Sequence, residues 1–261
     1  MKKLALSLFA LATFLLSGCS KWAGDPITQT FSIKGNYTEL RVEDAFDVTV
    51  SDTVDQVVIT AGDNVMPHIV VKEKDKTLNI YIKGWRSNRG GDLTVILPYN
   101  ASLTDIDLSG ASSFNSEFGL RGTKVEVDMS GASDFICDIE ADEISLDLSG
   151  ASDFSGLVAA KELDIDLSGS SDATIEGTVE TLDLDLSGSS TIKQKIVDGR
   201  YALVTGNCEG SLSGSSDAYI HCDGFISVDL SGASTLYYTG SARTSGSSTS
   251  GSSNIVHNVL R

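Results

Sequence analysis

Two residue types recur in this 261-residue chain at a spacing that could do chemistry: serine and aspartate. A hexamer, Asp-x-Ser-Gly-Ala/Ser-Ser, repeats with its glycine at Gly110, Gly131, Gly150, Gly169, Gly188, Gly214 and Gly232. Each copy carries a serine two places after the glycine: Ser112, Ser133, Ser152, Ser171, Ser190, Ser216 and Ser234. Three places before the glycine stand Asp107, Asp128, Asp147, Asp166, Asp185 and Asp229. Further acids lie two residues earlier, at Asp105, Glu126, Asp164, Asp183 and Glu209. A third set, Asp134, Asp153, Asp172 and Asp217, lies three past the glycine.

A serine nucleophile needs a base and an orienting acid. The three histidines, His68, His221 and His257, fall in unrelated contexts. The strand-to-helix elbow of a serine hydrolase is missing too. A catalytic serine is needed once, whereas seven copies of one serine point to a structural role. No catalytic residue is assigned.

The aspartates admit more than one chemistry. If the copies stack, Asp107, Asp128, Asp147, Asp166 and Asp185 form a ladder of like charge, which is destabilising unless relieved. Solvent screening, hydrogen bonds from serines or backbone, or bound divalent cations could each relieve it. Calcium suits clustered carboxylate oxygens. The Gly-Gly-x-Gly-x-Asp nonapeptide of calcium-binding β-rolls is absent, however. No other cofactor is indicated. Paired carboxylates also serve polysaccharide lyases and hydrolases, but no pair here stands apart from the columns. Beside the repeat, Arg86 and Arg89 could hold an anion, and Tyr81, Trp85 or the pair Tyr237 and Tyr238 could stack on a sugar. A solvated loop for the arginines and local packing for the aromatics are the more ordinary explanations.

The elements that must position these residues follow from periodicity. The glycine intervals are 21, 19, 19, 19, 26 and 18 residues, the mark of a stacked solenoid. Two and four places before most glycines the residue is apolar, as in Ile106 and Leu108 or Leu146 and Leu148. That alternation buries one strand face and turns the aspartates outward. The glycine then permits a sharp corner. The 26-residue step holds an insertion within Lys193 to Thr205. Upstream, residues 31–100 contain strands without a clear repeat, such as Phe46 to Val50 and Leu78 to Ile82. Residues 101–258 are the repeat coils, of about 18–21 residues each. The polar, basic stretch from Gly84 to Gly91 reads as an exposed loop.

The beginning of the chain carries a different signal. Lys2 and Lys3 precede a 13-residue apolar run, Leu4 to Leu16, and then Leu16-Ser17-Gly18-Cys19. This resembles a bacterial lipobox. It implies a signal peptide over residues 1–18, acylation of Cys19 as the new first residue, and a tether over residues 19–30. Ser20, rather than an aspartate, follows the cysteine, which by resemblance to enterobacterial sorting permits delivery to the outer membrane. Which way the protein then faces stays open.

Cleavage would leave 17 basic against 36 acidic residues. Such a surface repels nucleic acid and anionic headgroups and favours solubility. Cys137, Cys208 and Cys222 match no zinc spacing. Cys208 and Cys222 either pair or stay as small buried thiols.

Taken together, these segments resemble the auto-transporter adhesin family with a head GIN domain, frequent among Bacteroidetes envelope proteins. The resemblance covers about residues 30–258. It rests on Phe46-Asp47-Val48, on Val57-Val58-Ile59-Thr60-Ala61, on Asn64, and on Leu78-Asn79-Ile80. It rests also on the Leu-Ser-Gly-Ala/Ser-Ser coils and the closing Gly251-Ser252-Ser253-Asn254-Ile255. It implies an all-β, right-handed parallel β-helix. The expected function is that of a non-enzymatic envelope lipoprotein for adhesion, ligand binding or scaffolding. Its partners would be the membrane, through the anchor, and a glycan or surface protein. The alternative is a carbohydrate-active enzyme built on the same coils. Oligomeric state is not readable.

Overall fold

The computed structural model describes residues 24–84 and 91–259. Those residues are all-β apart from a short 3-10 turn at Met66–His68. Among them no helix is long and apolar enough to cross a membrane. The signal peptide expected over residues 1–18, Cys19, and Trp85, Arg86 and Arg89 lie outside the described residues.

The first seven strands are β1 (Pro26–Phe31), β2 (Glu39–Val42), β3 (Phe46–Ser51), β4 (Val57–Gly62), β5 (Ile69–Lys74), β6 (Thr77–Ile82) and β7 (Leu93–Pro98). The repeat region begins with β8 (Asp105–Leu108). It continues with the long strands β9 (Ser113–Met129), β10 (Asp134–Leu148), β11 (Asp153–Leu167) and β12 (Asp172–Leu186). Shorter strands follow: β13 (Thr191–Ile192), β14 (Ile196–Val197), β15 (Arg200–Tyr201), β16 (Leu203–Leu212), β17 (Asp217–Cys222), β18 (Ile226–Leu230), β19 (Thr235–Thr239), β20 (Ser248–Thr249) and β21 (Asn254–His257).

Repeat copies pair in parallel and in register. Asp134 faces Asp153, Asp153 faces Asp172, and Leu148 faces Leu167, which faces Leu186. Each copy is thus one rung, and neighbouring rungs are joined by main-chain hydrogen bonds. The inward column two places before the glycine is fully buried, from Leu108 at 0% to Leu230 at 2% exposure. Four places past the glycine, Phe114, Phe135 and Phe154 stack along the axis, with ring centroids 5.1 and 5.3 Å apart. The apolar interior is therefore continuous from rung to rung.

The corner glycines sit in the left-handed region, with φ of 74–82° from Gly110 to Gly232. Such a backbone costs a residue with a Cβ about 1–2 kcal/mol. Space forbids one as well: a Cβ on Gly150 would stand 2.4 Å from Gly131 O. The column continues upstream through a residue that is not glycine. Asp44 has φ 81°, and Ala111 N donates to its carbonyl at 2.6 Å. Glu39 faces Asp105 and Asp47 faces Ser113. The segment 39–51 is therefore a rung in register with the repeat, inside the region expected to be irregular.

The rest of the N-terminal part is mixed. β6 and β7 continue the stack in parallel on β2 and β3, and antiparallel pairs, β5 on β6, β4 on β7 and β1 on β4, close it. Here the tether expected over residues 19–30 is corrected. Residues 26–30 belong to β1, paired to β4 from Pro26 with Gly62 to Phe31 with Val57. The strand is held by its main chain and by Thr28 Oγ1 against Thr60 Oγ1 at 2.8 Å. Its outward-facing side chains carry no apolar alternation that would mark it.

The insertion sits where the spacing put it. Thr191 still faces Asp172, a 19-residue step, but Leu203 faces Gly177, a 26-residue step. The extra chain forms the hairpin β14–β15, turning at Asp198 and Gly199 with φ of 51° and 75°. Two positive φ values in a row define the turn that favours Asp-Gly. At the far end the last rung turns polar. Ser247 Oγ donates to Ile226 O at 3.0 Å and accepts from Val228 N at 3.1 Å. A side chain thereby occupies ladder positions that a further strand would use.

Candidate functional site

The repeated serines point inward. Ser112, Ser133, Ser152, Ser171, Ser190, Ser216 and Ser234 are at most 1% exposed. Each hydroxyl donates to the carbonyl three residues earlier, as in Ser171 Oγ to Ser168 O at 2.9 Å. Ser234 also reaches the rung below, at Leu212 O, 3.0 Å away. These hydroxyls close the corner, which removes them from reach of a substrate.

The aspartates form the expected ladder. Asp107, Asp128, Asp147, Asp166 and Asp185 lie in consecutive register. Arg41 ends the ladder at one side, with Nε 3.0 Å from Asp107. At the other, Ser211 Oγ donates to Asp185 at 2.6 Å, and Ser248 Oγ serves Asp229 likewise. Between the columns runs an open groove lined by Asp147, Asp164, Asp166, Asp183 and Asp185. Partial burial and then the neighbouring acids raise Asp128, Asp166 and Asp183 above the ordinary carboxylate value. Asp105 is pushed up to about 6, by burial first and then by Glu39, Glu126, Asp128 and Asp107. Asp134, in the third column, is raised by burial and by Asp153. Among the described residues no three His, Cys, Asp or Glu side chains converge as a metal-binding group. The reliefs that the structure shows at the ends of the ladder are the arginine and the hydroxyls.

A second groove, of about 430 Å³, crosses four rungs at another bend. Its walls are Gly119 to Arg121, Asp138 to Glu140, Leu157 to Ala159, and Gly177 with Thr178. The register slips where Glu117, Phe118 and Gly119 of β9 stand against the single residue Asp138 of β10. The Asp138 carboxylate accepts from Leu157 N at 2.8 Å. Leu157 remains half-exposed, while Arg121 and Glu140 pair across neighbouring rungs at 3.4 Å. At one end Phe118 adjoins Gly119 and meets Tyr99 at 4.9 Å, both rings partly exposed. At the other end Gly177 N donates to Ala202 O, beside the inserted hairpin.

One acid–imidazole–hydroxyl chain does assemble. His221 Nδ1 lies 2.9 Å from Thr239 Oγ1, and Nε2 lies 3.2 Å from Asp223. Asp223 is held below its ordinary value, first by Ser241 N–H and hydroxyl and then by His221. Thr239 is 4% exposed and also accepts from Tyr201 N. Tyr201 is itself buried edge-on against Tyr219. The hydroxyl is thus sealed from substrate. Sequence reading missed this cluster because His221 and Thr239 meet only through rung register, 18 residues apart.

Tyr237 stacks on Tyr219 at 4.5 Å, and Tyr238 stacks on His257 at 4.7 Å. These sugar-platform candidates pack on neighbours along the stack. Tyr81 lies on β6, and the residues expected beside it, Trp85, Arg86 and Arg89, lie outside the described residues. Cys137, Cys208 and Cys222 are buried, free thiols.

Several solved structures resemble this fold. One is described as a "putative adhesin" from Parabacteroides distasonis ATCC 8503, 20% identical, covering 90% of this chain and 95% of its own, with TM-score 0.75. A "putative adhesin" from Parabacteroides merdae ATCC 43184 is 17% identical, with coverage of 90% and 97% and TM-score 0.77. A "Putative lipid binding protein" from P. distasonis ATCC 8503 is 19% identical, with coverage of 90% and 97% and TM-score 0.75. At these identities the likeness concerns the fold. No curated protein matches the chain. Residues 36–158 and 147–242 match one family, and the chain accordingly belongs to the family described as "Putative auto-transporter adhesin, head GIN domain".

Proposed function

We propose that this chain is a non-catalytic binding protein of the bacterial cell envelope, an adhesin that presents a rigid stack to an extended ligand. The carrying observation is the fate of its serines. All seven repeat hydroxyls are buried and committed to main-chain carbonyls. The acid–imidazole–hydroxyl chain through His221 ends at Thr239, whose hydroxyl is sealed. An accessible groove with largely apolar walls runs from Gly119 to Thr178. It runs along the stack across four rungs, roughly 15–20 Å at the spacing of neighbouring strands. That length suits a glycan strand, with Tyr99 and Phe118 at one end and the Arg121–Glu140 pair on its wall.

We also infer that the rungs wind right-handed, making the stack a parallel β-helix. Connections between parallel strands take that hand in nearly all proteins. The family membership supports export, and the lipobox supports an anchor on Cys19 at the outer membrane. Replacing Cys19 with Ala should release the protein from membranes.

Incubating the purified protein with a panel of glycans, scored for both binding and cleavage, tests the main reading. Binding without products is expected, and Leu157→Asp should weaken it. Release of shortened glycans would overturn the reading in favour of a carbohydrate-active enzyme.

A further inference from the structure

Two of the three described cysteines flank one corner near the C-terminal end. There residues 205–208 of one rung lie against residues 222–226 of the next, with Thr205 facing Cys222 and Cys208 facing Ile226. Cys222 is the last inward residue before its corner, and Cys208 is the first inward residue after its own. Cys222 Sγ lies 3.4 Å from Gly206 O and 3.6 Å from Phe225 O. The same Phe225 carbonyl accepts from Cys208 N at 2.8 Å. One carbonyl thus contacts both cysteines, on adjacent rungs. Both side chains are shielded, at 2% and 0% exposure.

We propose that Cys208 and Cys222 form a disulfide across this corner when the chain folds in an oxidising compartment. The proposal rests on the export reading above. The two cysteines lie on opposite flanks of one bend, one rung apart, and share the Phe225 carbonyl as a contact. Burial holds the Cys208 thiol well above the ordinary cysteine value, and Cys222 is the neighbour that adds most after it. A thiol so held is a poor nucleophile once the corner has closed. The bond therefore forms during folding, while the thiols are still wet. The oxidant is a small or protein disulfide. One cysteine thiolate attacks it, forming a mixed disulfide and releasing one thiol. The second cysteine thiolate then displaces the other half, making the Sγ–Sγ bond. Two protein thiols are oxidised, one external disulfide is reduced to two thiols, and the protons pass to the leaving sulfurs. Cys137 lies on β10 with its thiol toward Asp138 O, and stays reduced.

The test uses the full chain carrying Cys19→Ser, unfolded, reduced and refolded with reduced and oxidised glutathione. The product is then denatured and alkylated with N-ethylmaleimide, before and after a reductant, and adducts are counted by mass. One adduct before reduction and three after are expected, with a peptide linking Cys208 to Cys222. Cys137→Ser should give none before reduction, and Cys208→Ser should give two. Three adducts before reduction, or a link through Cys137, would overturn the proposal. The same count on protein taken from cells tests the compartment separately. A pair linked after refolding but free in cells supports the corner geometry and contradicts export.

Discussion

The carbonyl oxygen of Gly110 occupies the space that a side chain on Gly131 would need: a Cβ there would stand 2.2 Å from it. The same oxygen accepts a hydrogen bond from Ala132 N at 2.8 Å. The close approach and the hydrogen bond are therefore one contact, repeated at every corner. Gly150→Ala should lose both, and should destabilise the protein by about 3 kcal/mol or more through left-handed strain and clash. Gly199, on the hairpin, has φ 75°, but a Cβ added there would meet nothing within 4 Å. Gly199→Ala should cost only about 1 kcal/mol. Urea midpoints of the two variants check the contrast, and equal losses would contradict it.

Phe135 is enclosed between Phe114 and Phe154 at 0% exposure. Phe135→Ala should leave a cavity that its flanking rungs cannot collapse, costing about 3–5 kcal/mol. Its chain neighbour Ile136 is 53% exposed. Ile136→Ala should stay within about 0.5 kcal/mol. Chemical denaturation of both variants measures the difference.

Acidification from neutral pH should stabilise this protein. Asp105 sits at about 6 in the fold, and Asp128, Asp134, Asp166 and Asp183 are also raised. An unfolded aspartate titrates near ~3.9. Between about pH 6 and pH 4 the folded chain thus binds more protons than the unfolded one, so stability rises as pH falls. Asp223 works in the opposite sense, since its folded value is depressed, but only at lower pH. Thermal midpoints should increase from about pH 7.5 to about pH 5, less so in high salt. Asp105→Asn should raise the midpoint at neutral pH and flatten the profile. A falling midpoint over that range would refute the ladder's electrostatics.

Calcium should act on the ladder as a general screen. Carboxylates on successive rungs are about 4.8 Å apart, and no three described ones gather around a point. Calcium and magnesium at equal ionic strength should therefore give equal thermal midpoints. A rise specific to calcium and abolished by a chelator would show that the ladder of Asp107, Asp128, Asp147, Asp166 and Asp185 closes into a site after all.

The rungs were legible in the sequence because one requirement repeats: a left-handed corner that excludes a Cβ demands glycine at a fixed step. The same logic placed the insertion, since the extra residues of the longer step cannot fit within a rung. Asp44 escaped notice because aspartate is only an occasional occupant of that backbone region, although Leu40, Val42 and Asp47 keep the repeat's spacing around it. β1 escaped because its hold is main-chain pairing, which leaves no hydrophobic pattern. The second groove escaped for another reason. It arises from a bulge of β9 at Glu117 to Gly119, opposite Asp138, and from missing side chains at Gly119 and Gly177, and its walls come from four rungs at once. Period along the chain carries no record of such contacts.

The hairpin between Ile192 and Leu203 absorbs its extra residues without disturbing the pairing on either side, since Ala173 faces Ile192 below it and Leu182 faces Cys208 beyond it. Mechanical support and display are thereby uncoupled. That corner is a port, where a grafted epitope or a longer recognition loop can be exchanged while the scaffold keeps its dimensions.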